Sequence, residues 1–170
     1  MKSKRLSSED MPGLEVRIRD IENRQRIVDL RSGFHHHLNS QDWHELAGLF
    51  SVSGVLDYGD FGFAQGRGEI YEYYSALIGK IVEFMPGASH AVLKNVPTAH
   101  KIELSADGSS AIGSCYFQEM VRFDDNNFVH LSMGRFFDKY VLVGDQWVFD
   151  SIELEHYWVV PKNEGWTADW

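Results

Sequence analysis

The sequence has one cysteine and few basic residues. Each of these features excludes a kind of site or partner. One of its 170 residues is cysteine, Cys115, so an intrachain disulfide and a zinc site built from several cysteines are both excluded. Lys and Arg number 16 against 25 Asp and Glu, which gives a formal net charge of −9. Because nucleic acid is also negative and the basic residues are scattered, we expect no nucleic-acid partner.

A long apolar run is missing as well. No stretch approaches the roughly 20 apolar residues of a membrane-spanning helix, and residues 1–10 have no apolar signal-peptide core. We therefore expect no membrane partner and a cytoplasmic location. The chain is nevertheless 44% apolar, which is enough to bury the core of one domain.

Aromatic residues are abundant. Five Trp, seven Tyr and eleven Phe make up 14% of the chain. Many of these rings fall on predicted helix faces, loops and strand ends. This distribution predicts a ring-lined pocket for an aromatic or polycyclic small molecule.

The first half of the chain has helical periodicity. Apolar residues recur at spacings of three and four over residues 14–38, which predicts a helix that ends at Asn39-Ser40. A short helix around Trp43, a strand over residues 52–58 and a third helix over residues 68–82 follow. Residues 1–13 are expected to be a frayed tail.

After Ser89 the apolar period becomes two. Four long strands are predicted over residues 90–104, 110–122, 128–143 and 146–157, separated by turn-forming residues. Helices followed by long strands with tight connections indicate an α+β fold, a cone-shaped barrel whose curved mixed or antiparallel sheet wraps around the N-terminal helices. The domain is expected to span residues 14–160, with a tail over residues 161–170 that caps the pocket. Gly113 and Gly134 mark positions where a strand bends or a ligand approaches the backbone.

Several separated segments resemble one family. FHHHLNSQDWHELAGLFSVSGVLDY at residues 34–58 is similar to the opening helices and first strand of SnoaL-like proteins, and GRGEIYEYY, DGSSAIGSCYFQE and GRFFDKYVLVGDQWVF fit the same pattern in order. That family belongs to the superfamily of nuclear transport factor 2, ketosteroid isomerase and scytalone dehydratase. The resemblance covers most of the chain and implies the cone-shaped fold.

Strand alternation singles out Glu119. One face of the second long strand carries Ala111, Gly113, Cys115, Phe117 and Glu119, a succession that suits a concave surface facing a ligand. A carboxyl buried there would have a raised pKa and could act as an acid or a base near neutral pH. The alternative is a carboxylate at a solvated strand end.

The resemblance implies further catalytic groups. His90, at the start of the first long strand, matches the general base of the dehydratase-like members, with His100 as the alternative if the register differs. Tyr58 matches a tyrosine that holds a substrate oxygen. His156 lies where relatives carry a polar group at the mouth. Asn39 stands where these enzymes have an aspartate that orients the histidine.

The expected substrate-binding residues are mostly rings on the same surfaces. They are Phe34, Asn39, Phe61, Cys115, Phe117, Phe136 and Trp158. No metal site is expected, because three consecutive histidines at residues 35–37 point about 100° apart on a helix. A ligand set of His90, His156 and Glu119 stays open as an alternative. No cofactor is expected.

These features predict a cofactor-independent lyase acting on a hydrophobic hydroxylated compound, by dehydration or by a related carbon–carbon cleavage such as loss of formaldehyde. One alternative is an isomerase or polyketide cyclase with Glu119 as the base. The others are a ligand-binding or oligomerisation domain without activity, and the structural small subunit of a ring-hydroxylating dioxygenase. The resemblance also implies a homo-oligomer, a dimer or trimer formed through the outer face of the sheet around Val129, Leu131 and Met133.

Overall fold

Six strands form one curved sheet, and four helices pack against it. The structure is a computed structural model that describes residues 11–124 and 129–162. The elements within these residues are α1 (Met11–Ser40), α2 (Trp43–Gly48), β1 (Phe50–Asp57), β2 (Phe63–Gln65), α3 (Gly66–Ser75), α4 (Leu77–Glu83), β3 (Ala91–Leu104), β4 (Ser110–Phe123), β5 (Val129–Val143) and β6 (Gln146–Pro161). A single turn of 3₁₀ helix, Gly59–Phe61, connects β1 to β2.

The strand order is β2-β1-β6-β5-β4-β3. β3, β4, β5 and β6 follow one another as an antiparallel meander, as their tight connections predict. β1 runs parallel to β6, because the chain passes through the helices and the other long strands before it returns beside β1. The α+β prediction is therefore confirmed, with a sheet that curves but does not close.

α1 presents one face to the sheet. Its buried residues are Asn23, Ile27, Leu30, Arg31, Phe34, His35 and Leu38, spaced by three and four as one side of a helix requires. The helix begins at Met11, before the predicted start, and ends at Ser40 as predicted. Its first apolar residues remain outside the core, with Ile21 66% exposed. Among the described helices, none is long and apolar enough to cross a membrane.

The other elements lie close to their predicted positions. The predicted third helix is two helices, α3 and α4, joined at Ala76. β6 continues to Pro161, past the predicted end at residue 157. The predicted capping tail at residues 161–170 falls mostly outside the described residues, as does the N-terminal tail up to residue 10.

Two strand glycines allow close packing around the curve of the sheet. A Cβ atom at Gly134 would lie 2.5 Å from the carbonyl oxygen of Glu155 and 2.7 Å from Phe117 Cε1. A Cβ at Gly113 would lie 2.9 Å from the carbonyl oxygen of Lys101. All three distances are too short for a side chain, so these positions need glycine where strands and rings approach each other.

Candidate active site

The sheet and helices α3 and α4 enclose a cavity of about 680 Å³. Its wall is largely apolar and aromatic. The polar side chains on the inner wall are Tyr58, Tyr73, Tyr74, Asn95, Glu119, His130, Ser132 and His156. The charged residues Asp60, Lys80 and Glu83 also border the cavity, but they are exposed.

Glu119 lies on the cavity wall between two polar neighbours from adjacent strands. Asn95 on β3 and Ser132 on β5 are directly opposite it in the sheet register. Asn95 Nδ2 donates to Glu119 Oε2 at 3.0 Å, and Ser132 Oγ lies 3.5 Å from Oε1. Burial raises the pKa of Glu119, and these two neutral donors only partly oppose the rise. Strand alternation therefore placed this carboxyl on the correct face.

Three tyrosines line the cavity beside this wall. The hydroxyl groups of Tyr58 and Tyr74 share a hydrogen bond of 2.6 Å, and burial raises the pKa of both. Tyr73 donates to the carbonyl oxygen of Phe61 at 3.1 Å. Burial, reinforced by the charge of Glu119, raises the pKa of Tyr73 to about 12. All three rings therefore carry neutral hydroxyl groups at physiological pH.

His156 also lines the cavity, with its ring 5.1 Å from the ring of Phe61. Burial lowers its pKa, which keeps the imidazole neutral near pH 7. The prediction for Trp158 on the same strand is wrong, because the register shifts after Met133: Met133 pairs with Trp158, whereas Gly134 pairs with His156. This bulge adds one residue and reverses the alternation, so Val159 lines the cavity in place of Trp158.

His90 lies outside the cavity, contrary to the prediction. It is exposed and precedes the first residue of β3. Its backbone N–H donates to Asp124 Oδ1 at 3.0 Å, and its carbonyl oxygen accepts from the backbone N–H of Asp124. These bonds hold it at the end of the segment between α4 and β3, beside the residue that follows β4. The alternative, His100, does not line the cavity either; its Nε2 lies 3.1 Å from Tyr140 Oη beside a bulge at Ala99.

Asn39 holds Asn95 rather than a histidine. Its Oδ1 accepts from the backbone N–H of Asn95 at 2.7 Å, and its Nδ2 donates to the carbonyl oxygen of Asn95 at 2.8 Å. The sequence interpretation missed Asn95. The inward alternation of Ala91 and Leu93 on β3 would have indicated it.

The predicted ring contacts are divided between the cavity and the core beneath it. Phe61, Phe117 and Phe136 line the cavity, and the last two stack at 4.6 Å between ring centres. Phe34 is fully buried behind Phe136, so it does not reach the cavity. Cys115 is also buried beneath the wall; its Sγ contacts the carbonyl oxygen of Thr98 at 3.6 Å, and burial raises its pKa. A thiol in that state is a poor nucleophile.

A buried ion pair lies in the core, and the sequence interpretation did not include it. The Arg31 guanidinium forms two hydrogen bonds with the Asp138 carboxylate, and both residues are 2% exposed. Tyr140 donates to Asp138 Oδ2 at 2.6 Å. The Arg31 guanidinium also lies against aromatic rings, 4.8 Å from the ring centre of Phe136. Nothing in the sequence pattern pairs residues 107 positions apart.

The potential metal ligands that lie together are outside this cavity. In the described ranges, His36, His37 and Asp42 have ligand atoms within 4.8 Å of one another. A left-handed residue, Gln41, turns the chain so that Asp42 returns beside His37. Two of the three consecutive histidines therefore do come together, which the helix argument did not anticipate. The alternative ligand set of His90, His156 and Glu119 is not assembled, because His90 lies outside the cavity.

A family model for the SnoaL-like domain matches residues 19–153, most of the chain. The chain belongs to the SnoaL-like domain family. No curated protein matches the sequence. The resemblance stated from the sequence is thereby confirmed at the level of the family.

Solved structures of related shape are distant in sequence. A scytalone dehydratase-like protein from Novosphingobium aromaticivorans is 18% identical, with 84% of this chain and 89% of that chain covered and a TM-score of 0.69. A type 2 hexachlorocyclohexane dehydrochlorinase is 13% identical, with 85% and 91% covered and a TM-score of 0.70. The type 3 enzyme from Novosphingobium barchaimii is also 13% identical, with 85% and 92% covered and a TM-score of 0.70. At these identities the likeness establishes the shared fold, within a family that includes enzymes acting on small molecules.

Proposed function

We propose that this SnoaL-like protein is a cofactor-independent lyase that dehydrates a hydrophobic hydroxylated ring compound, with Glu119 as the group that moves the proton. The observation that carries the proposal is the Glu119 carboxyl in an apolar cavity, whose hydrogen-bond partners within the described part of the chain are the neutral donors Asn95 and Ser132. A carboxylate whose pKa is raised is a stronger base than one in water. His90, the base predicted from the sequence, has no part in this mechanism because it lies outside the cavity.

The proposed reaction needs one proton carrier and two hydrogen-bonding groups. Glu119 removes a proton from the carbon beside a substrate carbonyl, and the Tyr58 hydroxyl donates to the carbonyl oxygen as it gains negative charge. The new carbon–carbon double bond forms as the carbon–oxygen bond to the β-hydroxyl breaks. Glu119 returns its proton to that oxygen, so water leaves and the carboxylate is restored. The neutral His156 imidazole donates a hydrogen bond to the departing hydroxyl group.

The cavity supports a planar ring compound as the substrate. Its volume of about 680 Å³ lies within the range of small-molecule sites. The stacked rings of Phe117 and Phe136 provide a flat apolar wall, and Phe61 lies beside His156. Burial of the substrate rings against these residues would displace water from the carboxyl and keep its pKa raised.

Isomerisation of a cyclic ketone is the second candidate. Of the carboxyl groups that border the cavity in the described residues, Asp60 and Glu83 are exposed and Glu119 alone is on the inner wall. Isomerisation needs one carboxylate, because Glu119 would remove the proton from one carbon and return it to a different carbon. In the dehydration, the proton returns to a hydroxyl oxygen instead. The two reactions share the first step and differ in where the proton goes.

A β-hydroxytetralone tests the proposal, because its dehydration gives a naphthol with a distinct absorption spectrum. We expect turnover by the wild type, a loss of at least about 100-fold in kcat for Glu119→Gln, and wild-type rates for His90→Asn. Gln118→Ala, on the opposite face of β4, is the matched control. Turnover that survives in Glu119→Gln would overturn the proposed mechanism. A β,γ-unsaturated ketone that is isomerised while the hydroxyketone is left intact would favour the second candidate.

The homo-oligomer stays a prediction. Cavity residues on β5 occupy even positions such as Ser132 and Phe136, so Leu131 and Met133 lie on the outer face. Exposed Met120, directly opposite Leu131 on the neighbouring strand β4, extends this apolar surface.

A further inference from the structure

The side chain of Asn95 lies behind the Glu119 carboxyl and is 1% exposed. We propose that Asn95 is a positioning residue: Asn39 fixes its backbone, and its amide holds the Glu119 carboxyl in one orientation. This inference rests on the proposed role of Glu119 as the proton carrier. It assigns a role in the proposed site to Asn39 and Asn95, neither of which would exchange a proton with the substrate.

Asn95 contacts the Glu119 carboxyl directly. Asn95 and Glu119 are paired residues on β3 and β4, so their side chains start from neighbouring points on the same face of the sheet. The 3.0 Å bond from Asn95 Nδ2 has ordinary hydrogen-bond length, whereas the contact from Ser132 is 3.5 Å. Asn95 is thus the stronger of the two restraints on rotation of the carboxyl.

The backbone of Asn95 is held on both sides by one side chain. β3 is an edge strand, and the backbone N–H and carbonyl of Asn95 both bond to the Asn39 side chain at the end of α1. Because the asparagine amide both donates and accepts, it satisfies the two backbone groups at once. An aspartate at position 39 would have no donor for the Asn95 carbonyl oxygen. The contact therefore explains why an asparagine suits this position.

The Asn95 amide faces Glu119 with its nitrogen. Its nitrogen must face the Glu119 carboxylate, because the amide oxygen would be repelled there. Among the described residues, Asn95 Oδ1 and both ring nitrogens of the buried His35 have no hydrogen-bond partner, so no bond holds the amide oxygen. Burial and the charge of Arg31 lower the pKa of His35 to about 3, and Asn95 only partly opposes this. His35 is therefore neutral. The other titratable groups on the cavity wall near Glu119 are Tyr73, His130 and His156.

The proposal predicts a change in the titration of Glu119 itself. Loss of the Asn95 donor leaves the carboxylate less stabilised, so the pKa of Glu119 rises further, by about one unit for a hydrogen bond to a charged group. Asn95→Leu, which keeps a similar shape, removes the donor. Asn39→Ala removes both side-chain bonds to the Asn95 backbone without adding a charge, so we expect a smaller rise in the same direction.

The experiment follows Glu119 by carbon-13 NMR of its carboxyl group, assigned from the spectrum of Glu119→Gln. We expect Asn95→Leu to raise the Glu119 pKa, to shift the acid limb of the kcat profile to higher pH, and to lower kcat by about tenfold on the plateau while KM changes little. Asn23→Leu is the control, since Asn23 is a buried asparagine that accepts from Trp147 Nε1 away from the cavity. It is expected to lower stability and leave the Glu119 titration unchanged.

A Glu119 titration that is the same in Asn95→Leu and wild type would overturn the positioning role. If Asn95→Leu does not fold, Asn39→Ala gives the same test from the other residue without a change of charge. The NMR titration needs no substrate. A protein that shows the pKa shift and no turnover therefore supports the positioning role and counts against the proposed function.

Discussion

The hydroxyl oxygens of Tyr58 and Tyr74 lie 2.6 Å apart on the wall of the cavity, and both rings are buried. Within this pair one hydroxyl donates to the other, so one proton remains for a further acceptor. A carbonyl oxygen of a bound substrate would be such an acceptor. The pair can thus present a neutral donor to the cavity without an ionised tyrosine, since burial raises the pKa of both groups.

Tyr58→Phe tests this role. We expect kcat/KM for the hydroxyketone to fall by about five- to tenfold, which corresponds to one hydrogen bond of about 1 kcal/mol. Tyr73→Phe is the control, because its hydroxyl is already used by the carbonyl of Phe61. If Tyr58→Phe and Tyr73→Phe have the same small effect, then Tyr58 does not contact the substrate oxygen.

Glu119→Gln is expected to stabilise the protein at neutral pH while it abolishes activity. The Glu119 carboxyl has a raised pKa in the fold, so its contribution to stability is complete below the unfolded pKa of about 4.5 and is lost as the pH rises through the folded value. Glutamine carries no charge and avoids this loss. We expect the melting temperature of the variant to exceed that of wild type at pH 8 and to match it near pH 4. A variant that is less stable than wild type at pH 8 would contradict the unfavourable burial of the charge.

His35 is expected to make the protein sensitive to acid. Burial and the charge of Arg31 lower its pKa from 6.5 to about 3, so the unfolded chain binds a proton over an interval in which the folded protein does not. Stability should therefore fall as the pH drops from 6.5 to about 3, by an amount on the order of 5 kcal/mol at about 1.4 kcal/mol per pKa unit.

Replacement of His35 by Phe should remove most of this slope when urea unfolding is measured across the same interval. His44→Gln, at an exposed histidine, should leave the slope unchanged. A slope that persists in His35→Phe would assign the acid sensitivity to other groups.

The pair Arg31–Asp138 is expected to show strong coupling. Burial lowers the pKa of Arg31, but the Asp138 carboxylate more than offsets this and keeps the guanidinium charged. Asp138→Asn would leave that charge uncompensated and should cost about 3–5 kcal/mol. The double change Arg31→Met with Asp138→Leu should cost much less than the two single changes together. Additive losses in urea unfolding would show that the two residues act independently.

Sequence periodicity predicted most of the fold and part of the site. The change from a period near 3.6 to a period of two placed the long strands to within a few residues, because each period reflects which side chains one face buries. The same alternation brought Glu119, Phe117 and Phe136 to the cavity. It was wrong for Trp158, since the bulge between β5 and β6 adds one residue that the pattern does not reveal.

The polar contacts on the cavity wall join residues that are distant in the sequence, so periodicity did not predict them. His90 was wrongly placed because it precedes β3 by one residue, and Asp124 holds its backbone at the end of the segment between α4 and β3. Asn95 meets Glu119 across 24 residues of sequence, and only the pairing of β3 with β4 shows that they touch. Apolar alternation carries no information about which polar residues meet on the inner face.

By itself the sequence determined the α+β class, the curved meander and an apolar pocket lined with rings, since these depend on local periodicity and on the amount of apolar surface to be buried. Only the tertiary structure decided which titratable groups share that pocket. Strand register, one bulge and the Asn39–Asn95 contact decide this, and each depends on segments that are distant in the chain. The physical reason is that hydrogen bonds between side chains require positions correct to within a few tenths of an ångström, whereas burial requires only the correct face.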